Sequence, residues 1–155
     1  MAKFLISGTE QMMRDFRKLG QMGESAAVAI VQAAADEVVG QWKDTAERMG
    51  HVDTGSMVRG IKATAAAADG SGVASEVYPR GKDRRGTRNA TKAFILNYGS
   101  SRIPPSHWVE VANRDAEPVA TGLMASMWAS FVETGNVPGA ELSGAAKRGR
   151  RSKGR

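Results

Sequence analysis

Residues 24–50 constrain the fold more than any other stretch. Val28, Val31, Ala35, Val38, Trp42 and Met49 recur there at intervals of three, four or seven. That spacing matches the turn of an α-helix and places all of them on one apolar stripe. Glu37, Lys43, Asp44 and Arg48 fall off the stripe. Ser25, or Glu24 just before it, opens this helix, and Gly50 ends it as the residue after the C-cap. A helix so built must be covered. Trp42 and the small run Ala33 to Ala35 predict close packing against another element, which makes the stripe core rather than a cofactor box.

A second long helix is predicted from Ser106, its expected N-cap, to about Thr134. Trp108, Ala112, Ala116, Val119, Leu123, Met127 and Phe131 share its face. Pro118 is expected to kink or divide it. Between the helices, "IKATAAAA" and "GVASEVYP" flank the turn cluster "ADGSG" and read as a β-hairpin. The Ala-rich first arm has poor strand propensity. Residues 80–92 carry six basic side chains against one Asp with no apolar period, and read as an exposed loop. Residues 93–100, "AFILNYGS", are a strand or a helical turn, which periodicity does not decide. Pro104 and Pro105 then force a turn.

At the amino end, residues 2–8 read as a short strand with Phe4 and Ile6 on one side. Thr9 caps a short helix carrying Met12, Phe16 and Leu19, which Gly20 and Gly23 break. From Gly135 onward Gly, Ser, Ala, Lys and Arg dominate, too few apolar groups to offset the entropy of ordering. The fold class is therefore α+β, a single domain over residues 1–135 with a disordered basic tail over 136–155.

Charge follows this division. Lys147, Arg148, Arg150, Arg151, Lys153 and Arg155 supply the whole excess: without them the chain holds 16 basic and 16 acidic residues. A neutral body argues against a duplex-reading basic domain. There is no cysteine, which excludes disulfides, thiolate zinc sites and a cysteine nucleophile. Imidazole comes only from His51 and His107, far apart in sequence, and no spacing announces a metal site. No apolar run is long enough to span a bilayer, and the opening "MAKFLISGTEQ" is too weak for a signal peptide, so cytoplasmic synthesis is expected. No phosphate-binding Gly loop and no Ser-His-Asp set is evident, so no cofactor is expected.

Asp53-Thr54-Gly55 raises one enzymatic alternative, an aspartic hydrolase. Such an Asp follows a hydrophobic strand and shares a proton with a second carboxylate. Here it follows a helix, and no second Asp-Thr/Ser-Gly occurs, so a dyad would require a dimer. The structural reading has its own mechanism. Asp53 or Thr54 accepts backbone N–H groups ahead of it, Gly55 takes a positive φ, and the corner turns the chain from helix into hairpin.

The order of these motifs resembles the head–tail joining and tail-completion family of long-tailed bacteriophages. Its Pro-Val-Asp-Thr-Gly-x-Leu-Arg-x-Ser-Ile-like signature is met by residues 51–61, with His51 for Pro, Met57 near the Leu position and Gly60 for Ser. Its Tyr-Ala-x-x-Val-Glu-Phe-Gly-Thr-like segment is met by residues 93–100, with Asn97 for Glu. Its aromatic residue after a Pro-containing turn is met by Pro105-Ser106-His107-Trp108. The resemblance covers residues 4–134.

It implies a structural virion protein with no active site, assembled in the host bacterial cytoplasm and placed at the neck or tail. There it forms a ring, hexameric by preference, that joins head connector, adaptor or stopper proteins to the tail tube protein and completes the tube. Asp53, Thr54, Gly55, Tyr98, Gly99, Pro105 and Trp108 would set conformation. Methionines are abundant and would fill core or adaptable subunit contacts. Two basic segments, Arg80, Lys82, Arg84, Arg85 and Arg88 in the loop and Lys147 to Arg155 in the tail, are candidates for sequence-independent contact with luminal DNA or an acidic partner, or are simply solvated. Neither interleaves aromatics. The alternative reading is a small DNA-binding or packaging accessory protein.

Overall fold

The computed structural model describes residues 21–139. The expected strand at 2–8, the short helix with Met12, Phe16 and Leu19, and residues 140–155 of the tail lie outside them, whereas Val137, assigned by sequence to a disordered tail, is buried with the core because its apolar side chain packs there. The described part is α+β.

Helix α1, Gln21–Arg48, buries Ala26, Ala27, Ile30, Val31, Ala34, Ala35, Val38, Trp42 and Ala46. It begins earlier than Glu24 or Ser25, and Gly23, expected to end the shorter helix before it, lies inside α1 as a buried residue. A buried position without a side chain suits close packing there, which outweighs the modest helix penalty of Gly. The helix ends in a Schellman motif. Gly50 has φ of 75°, its N–H bonds Glu47 O at 3.0 Å, and the His51 N–H bonds Ala46 O at 2.8 Å.

Two further helices complete the frame: α2, Ser56–Gly60, and α3, Asn89–Tyr98. The segment left open between strand and helical turn is thus helix, and it starts inside the stretch read as loop. A fourth helix, α4, Trp108–Thr134, packs along α1 as its principal partner. Its buried stripe is Trp108, Ala112, Ala116, Ala120, Met124, Met127 and Phe131. Val119, expected in the core, is 43% exposed, and Leu123 is only partly covered. The stripe advances in steps of four through small residues, and alanines let two helices approach closely, so Ala120 rather than Val119 meets α1. Pro118 does not divide the helix.

The hairpin forms as expected, with an interruption. Strands β1, Ile61–Ala63, and β4, Val77–Pro79, pair antiparallel, as do β2, Ala67–Asp69, and β3, Gly72–Ala74. Ala63 faces Val77 while Ala67 faces Ala74, so the first arm holds one residue more than the second between the two ladders. This bulge resets which face is buried. Several of its backbone groups find partners: Glu76 N–H bonds Thr64 Oγ1 at 2.8 Å, Ser75 Oγ donates to Thr64 O at 2.8 Å, and Ala66 N–H bonds Gln32 Oε1 of α1 at 2.8 Å. At the tip, Asp69 Oδ1 accepts the N–H groups of Ser71 and Gly72. Ile61, Val73 and Val77 point into the core.

Trp42 and Trp108, both fully buried, meet edge to face with centroids 5.5 Å apart. Trp42 Nε1 donates to Asn113 Oδ1 at 2.8 Å, and Trp108 Nε1 to Ala93 O at 3.3 Å. Each indole N–H is therefore satisfied, and burial of each ring contributes roughly 4–6 kcal/mol of transfer free energy. The pair ties α1, α3 and α4 together.

Candidate interaction surfaces

The Asp53 corner redirects the chain as expected, and Gly55 has φ of 70°. The expected cap is absent: α2 begins without a side-chain hydrogen bond from Asp53 or Thr54. The Asp53 side chain is 88% exposed and lies 4.0 Å from Lys92 Nζ. Thr54 contributes its carbonyl, which accepts from Arg59 Nη2 at 3.0 Å. The turn is already closed by the left-handed Gly55, which leaves the acidic side chain free to face solvent.

Asn89, which sequence reasoning passed over, holds the corner instead. It is buried, accepts from Ser56 Oγ at 3.0 Å, and donates through Nδ2 to Ser56 O at 3.1 Å and Arg80 O at 2.7 Å. The same crowding explains Gly60, where an added Cβ would stand 2.4 Å from Arg80 O and 2.7 Å from Asn89 Nδ2.

The second motif closes at Gly99. Its φ is 81°, and a Cβ there would lie 2.8 Å from both Ile103 O and Pro105 N. Ser106 is not the cap of α4. Its hydroxyl donates to Leu96 O at 2.7 Å and meets His51 Nε2 at 3.0 Å. The cap comes from α3: buried Asn97 accepts the Val109 N–H through Oδ1 at 2.9 Å and donates to Glu110 Oε1 at 3.1 Å. That replaces the N-cap contact which His107, with φ of 53°, does not make.

The Ser106–His51 contact is a pairing that spacing did not announce. Because Ser106 gives its proton to Leu96 O, the imidazole N–H must donate to Oγ. That is the reverse of what activates a serine nucleophile. Burial lowers the His51 pKa from its ordinary value. No group of His, Asp and Glu among the described residues is arranged to hold a metal ion. Nor is a described helix long and apolar enough to cross a membrane.

What the fold leaves uncovered is a surface. Phe94 and Tyr98 of α3 are 52% and 49% exposed and pack on each other with centroids 4.8 Å apart. They border a cleft of about 260 Å³ with Tyr78, Pro79, Arg88 and Val109 in its walls. Ile103 is exposed on the adjoining turn, whereas Val132 is exposed near the far end of α4. Pro105 is exposed and Trp108 buried.

Beside the cleft runs the basic loop. The guanidinium of Arg80 lies over the Tyr78 ring at 4.8 Å, and Lys82, Arg84, Arg85 and Arg88 are exposed. Arg88 lines the same cleft as Phe94 and Tyr98, so the exposed aromatic pair and one cation of the loop share a surface. Asp83 organises the loop. The Lys92 ammonium and then the Thr87 N–H hold its carboxyl below the ordinary range. Lys147 to Arg155 lie outside the described residues.

A family model described as "Bacteriophage HK97-gp10, putative tail-component" matches residues 10–135. No curated protein and no solved structure matches the chain.

Proposed function

Because the chain belongs to the HK97-gp10-like family of bacteriophage tail components, we propose that it is a structural virion protein forming a closed ring. The ring sits at the head–tail junction or the head-proximal end of the tail, joins head to tail and completes the tube. Its partners are further copies of itself, six by preference, then head connector, adaptor or stopper proteins and the tail tube protein. The basic loop and tail face DNA in the lumen or an acidic neighbouring ring.

The observation that carries this reading is the exposed, mutually packed Phe94–Tyr98 pair at the rim of an apolar cleft. Aromatic anchors of this kind are enriched at protein interfaces. A ring also needs two different complementary faces on each subunit. Val109 lines the cleft near the start of α4, and exposed Val132 lies 23 residues on, which is about 35 Å along a helix axis. Apolar surface is therefore offered at two separate places.

Electron microscopy of the purified full-length chain tests the reading, with Phe94→Ser/Tyr98→Ser beside it. Rings are expected for the wild type, and dispersed particles with unchanged circular dichroism for the variant. A wild type that stays monomeric alone and with tail tube protein overturns the ring. A variant that still forms rings removes this face from the interface.

A further inference from the structure

The loop over residues 80–88 is shaped from within. The Asp83 carboxylate accepts the N–H groups of Arg85 and Thr87, each at 2.9 Å, and the Lys92 ammonium at 2.6 Å, and its side chain is only 7% exposed. The backbone closes around it through Asp83 N–H to Thr87 O at 2.9 Å, Gly86 N–H to Asp83 O at 3.0 Å and Asn89 N–H to Gly81 O at 3.0 Å. Gly81 and Gly86 supply the positive φ values, 79° and 82°, that so tight a turn needs. The one carboxylate of the loop is thereby occupied, while Lys82, Arg84, Arg85 and Arg88 face solvent. Among the described residues none of these four is in an ion pair.

The two ends of the loop are bridged antiparallel at Lys82 and Arg88. Residues directly opposite in such a pair carry Cβ atoms about 5 Å apart on one face, where like charges are unfavourable. Asp83 does not offset that repulsion, because Lys92 holds it. A bound anion would. From Gly81 to Arg88 the loop has no apolar side chain, so it recognises charge without demanding shape. Protein interfaces have apolar centres. A nucleic-acid backbone instead offers dense phosphate, which guanidinium groups grip through paired hydrogen bonds.

We propose that this loop is a sequence-independent binding surface for the phosphate backbone of duplex DNA, with Lys82, Arg84, Arg85 and Arg88 as contacts and Asp83 as the residue that positions them. The inference rests on the reading of the chain as a tail component whose ring surrounds the genome's path, and it names the site and its internal scaffold. Donors held in place by Asp83 lose less freedom on binding than donors on a loose loop. Asp83 therefore strengthens binding of a polyanion although it is itself negative.

Fluorescence anisotropy of a labelled mixed-sequence duplex with the full-length chain, titrated across salt, tests this. Lys82→Ala/Arg88→Ala is expected to weaken binding about tenfold at low salt and to lower the log–log salt slope by about 2, near 0.9 per lost phosphate contact. Lys62→Ala/Arg102→Ala removes as much charge elsewhere on the exposed surface and leaves the slope unchanged. Asp83→Asn is expected to weaken binding at least about threefold despite raising net charge. Asp83→Glu, which keeps the charge and moves the acceptor, shifts it the same way. Circular dichroism melting checks that each variant is folded.

If Asp83→Asn and Asp83→Glu bind as tightly as wild type or tighter while the Lys82/Arg88 variant weakens, the scaffold role falls and the DNA contact stands. If the Lys82/Arg88 variant keeps the wild-type slope while a chain ending at Ala146 loses binding, the tail is the DNA surface and the loop proposal falls. Loop variants that lose binding to an acidic ring protein but not to duplex would reassign the loop to protein contact. None of these three results alters the ring test above.

Discussion

Asn97→Ala isolates the contact that joins α3 to the start of α4. Asn97 is 1% exposed, and its Oδ1 accepts the Val109 N–H at 2.9 Å. Val109 is itself buried, so water does not replace the lost acceptor without opening the helix end. Loss of an N-cap costs about 0.5–2 kcal/mol, and a buried N–H left unpaired costs about 1–3 kcal/mol. These describe the same interaction from two sides, so they overlap and the expected loss is about 2 kcal/mol. For a domain of this size that lowers the Tm by about 4–8 °C. Differential scanning calorimetry reads the change directly.

A companion variant, Asn97→Asp, keeps the acceptor and adds a charge favoured at a helix N-terminus. It also replaces the amide that donates to Glu110 Oε1 at 3.1 Å with a second carboxylate oxygen. Its deficit against wild type should therefore shrink from neutral to mildly acid pH, where one of the two carboxylates takes a proton. An Asn97→Ala protein melting within a degree of wild type would show that α4 does not depend on this cap, and the account of the second motif would fail with it.

Gly60→Ala forces a methyl to within 2.4 Å of Arg80 O and 2.7 Å of Asn89 Nδ2. It should cost about 1–3 kcal/mol in urea unfolding, since backbone on one side has little room to yield. Acid should destabilise the protein in two stages. His51 is held below its ordinary 6.5 by burial, so its contribution is complete above that value and is lost as pH falls through the lowered one. The carboxyls of Asp69, Asp83 and Asp115 are held below their ordinary 3.8 by hydrogen bonds, from Ser71, from Lys92 and from Arg114 respectively. Their contribution is present above that value and is lost as pH falls through the lowered ones. Urea midpoints followed against pH should fall in both windows, and Asp83→Asn should flatten the lower one.

Local pattern alone determined a good part of this protein. The stripe from Val31 to Trp42, the stop at Gly50, the positive φ at Gly55 and the hairpin around residues 68–72 all follow from spacing and turn chemistry within a few residues. The order of the Asp-Thr-Gly, Tyr-Gly and Pro-x-x-Trp motifs by itself resembles the phage tail family to which the chain belongs. Only the tertiary structure decided which polar groups serve those elements. The cap of α4 comes from Asn97, twelve residues before the N–H it accepts; the corner is held by Asn89 rather than Asp53; and the bulge is satisfied by Gln32 from another element. It also decided that Ala120 and not Val119 meets α1, and that Asp83 faces inward among cations. Helical periodicity is written between near neighbours, so a single chain displays it. A hydrogen bond across tens of residues depends on where two surfaces meet, and that is settled only when the side chains pack.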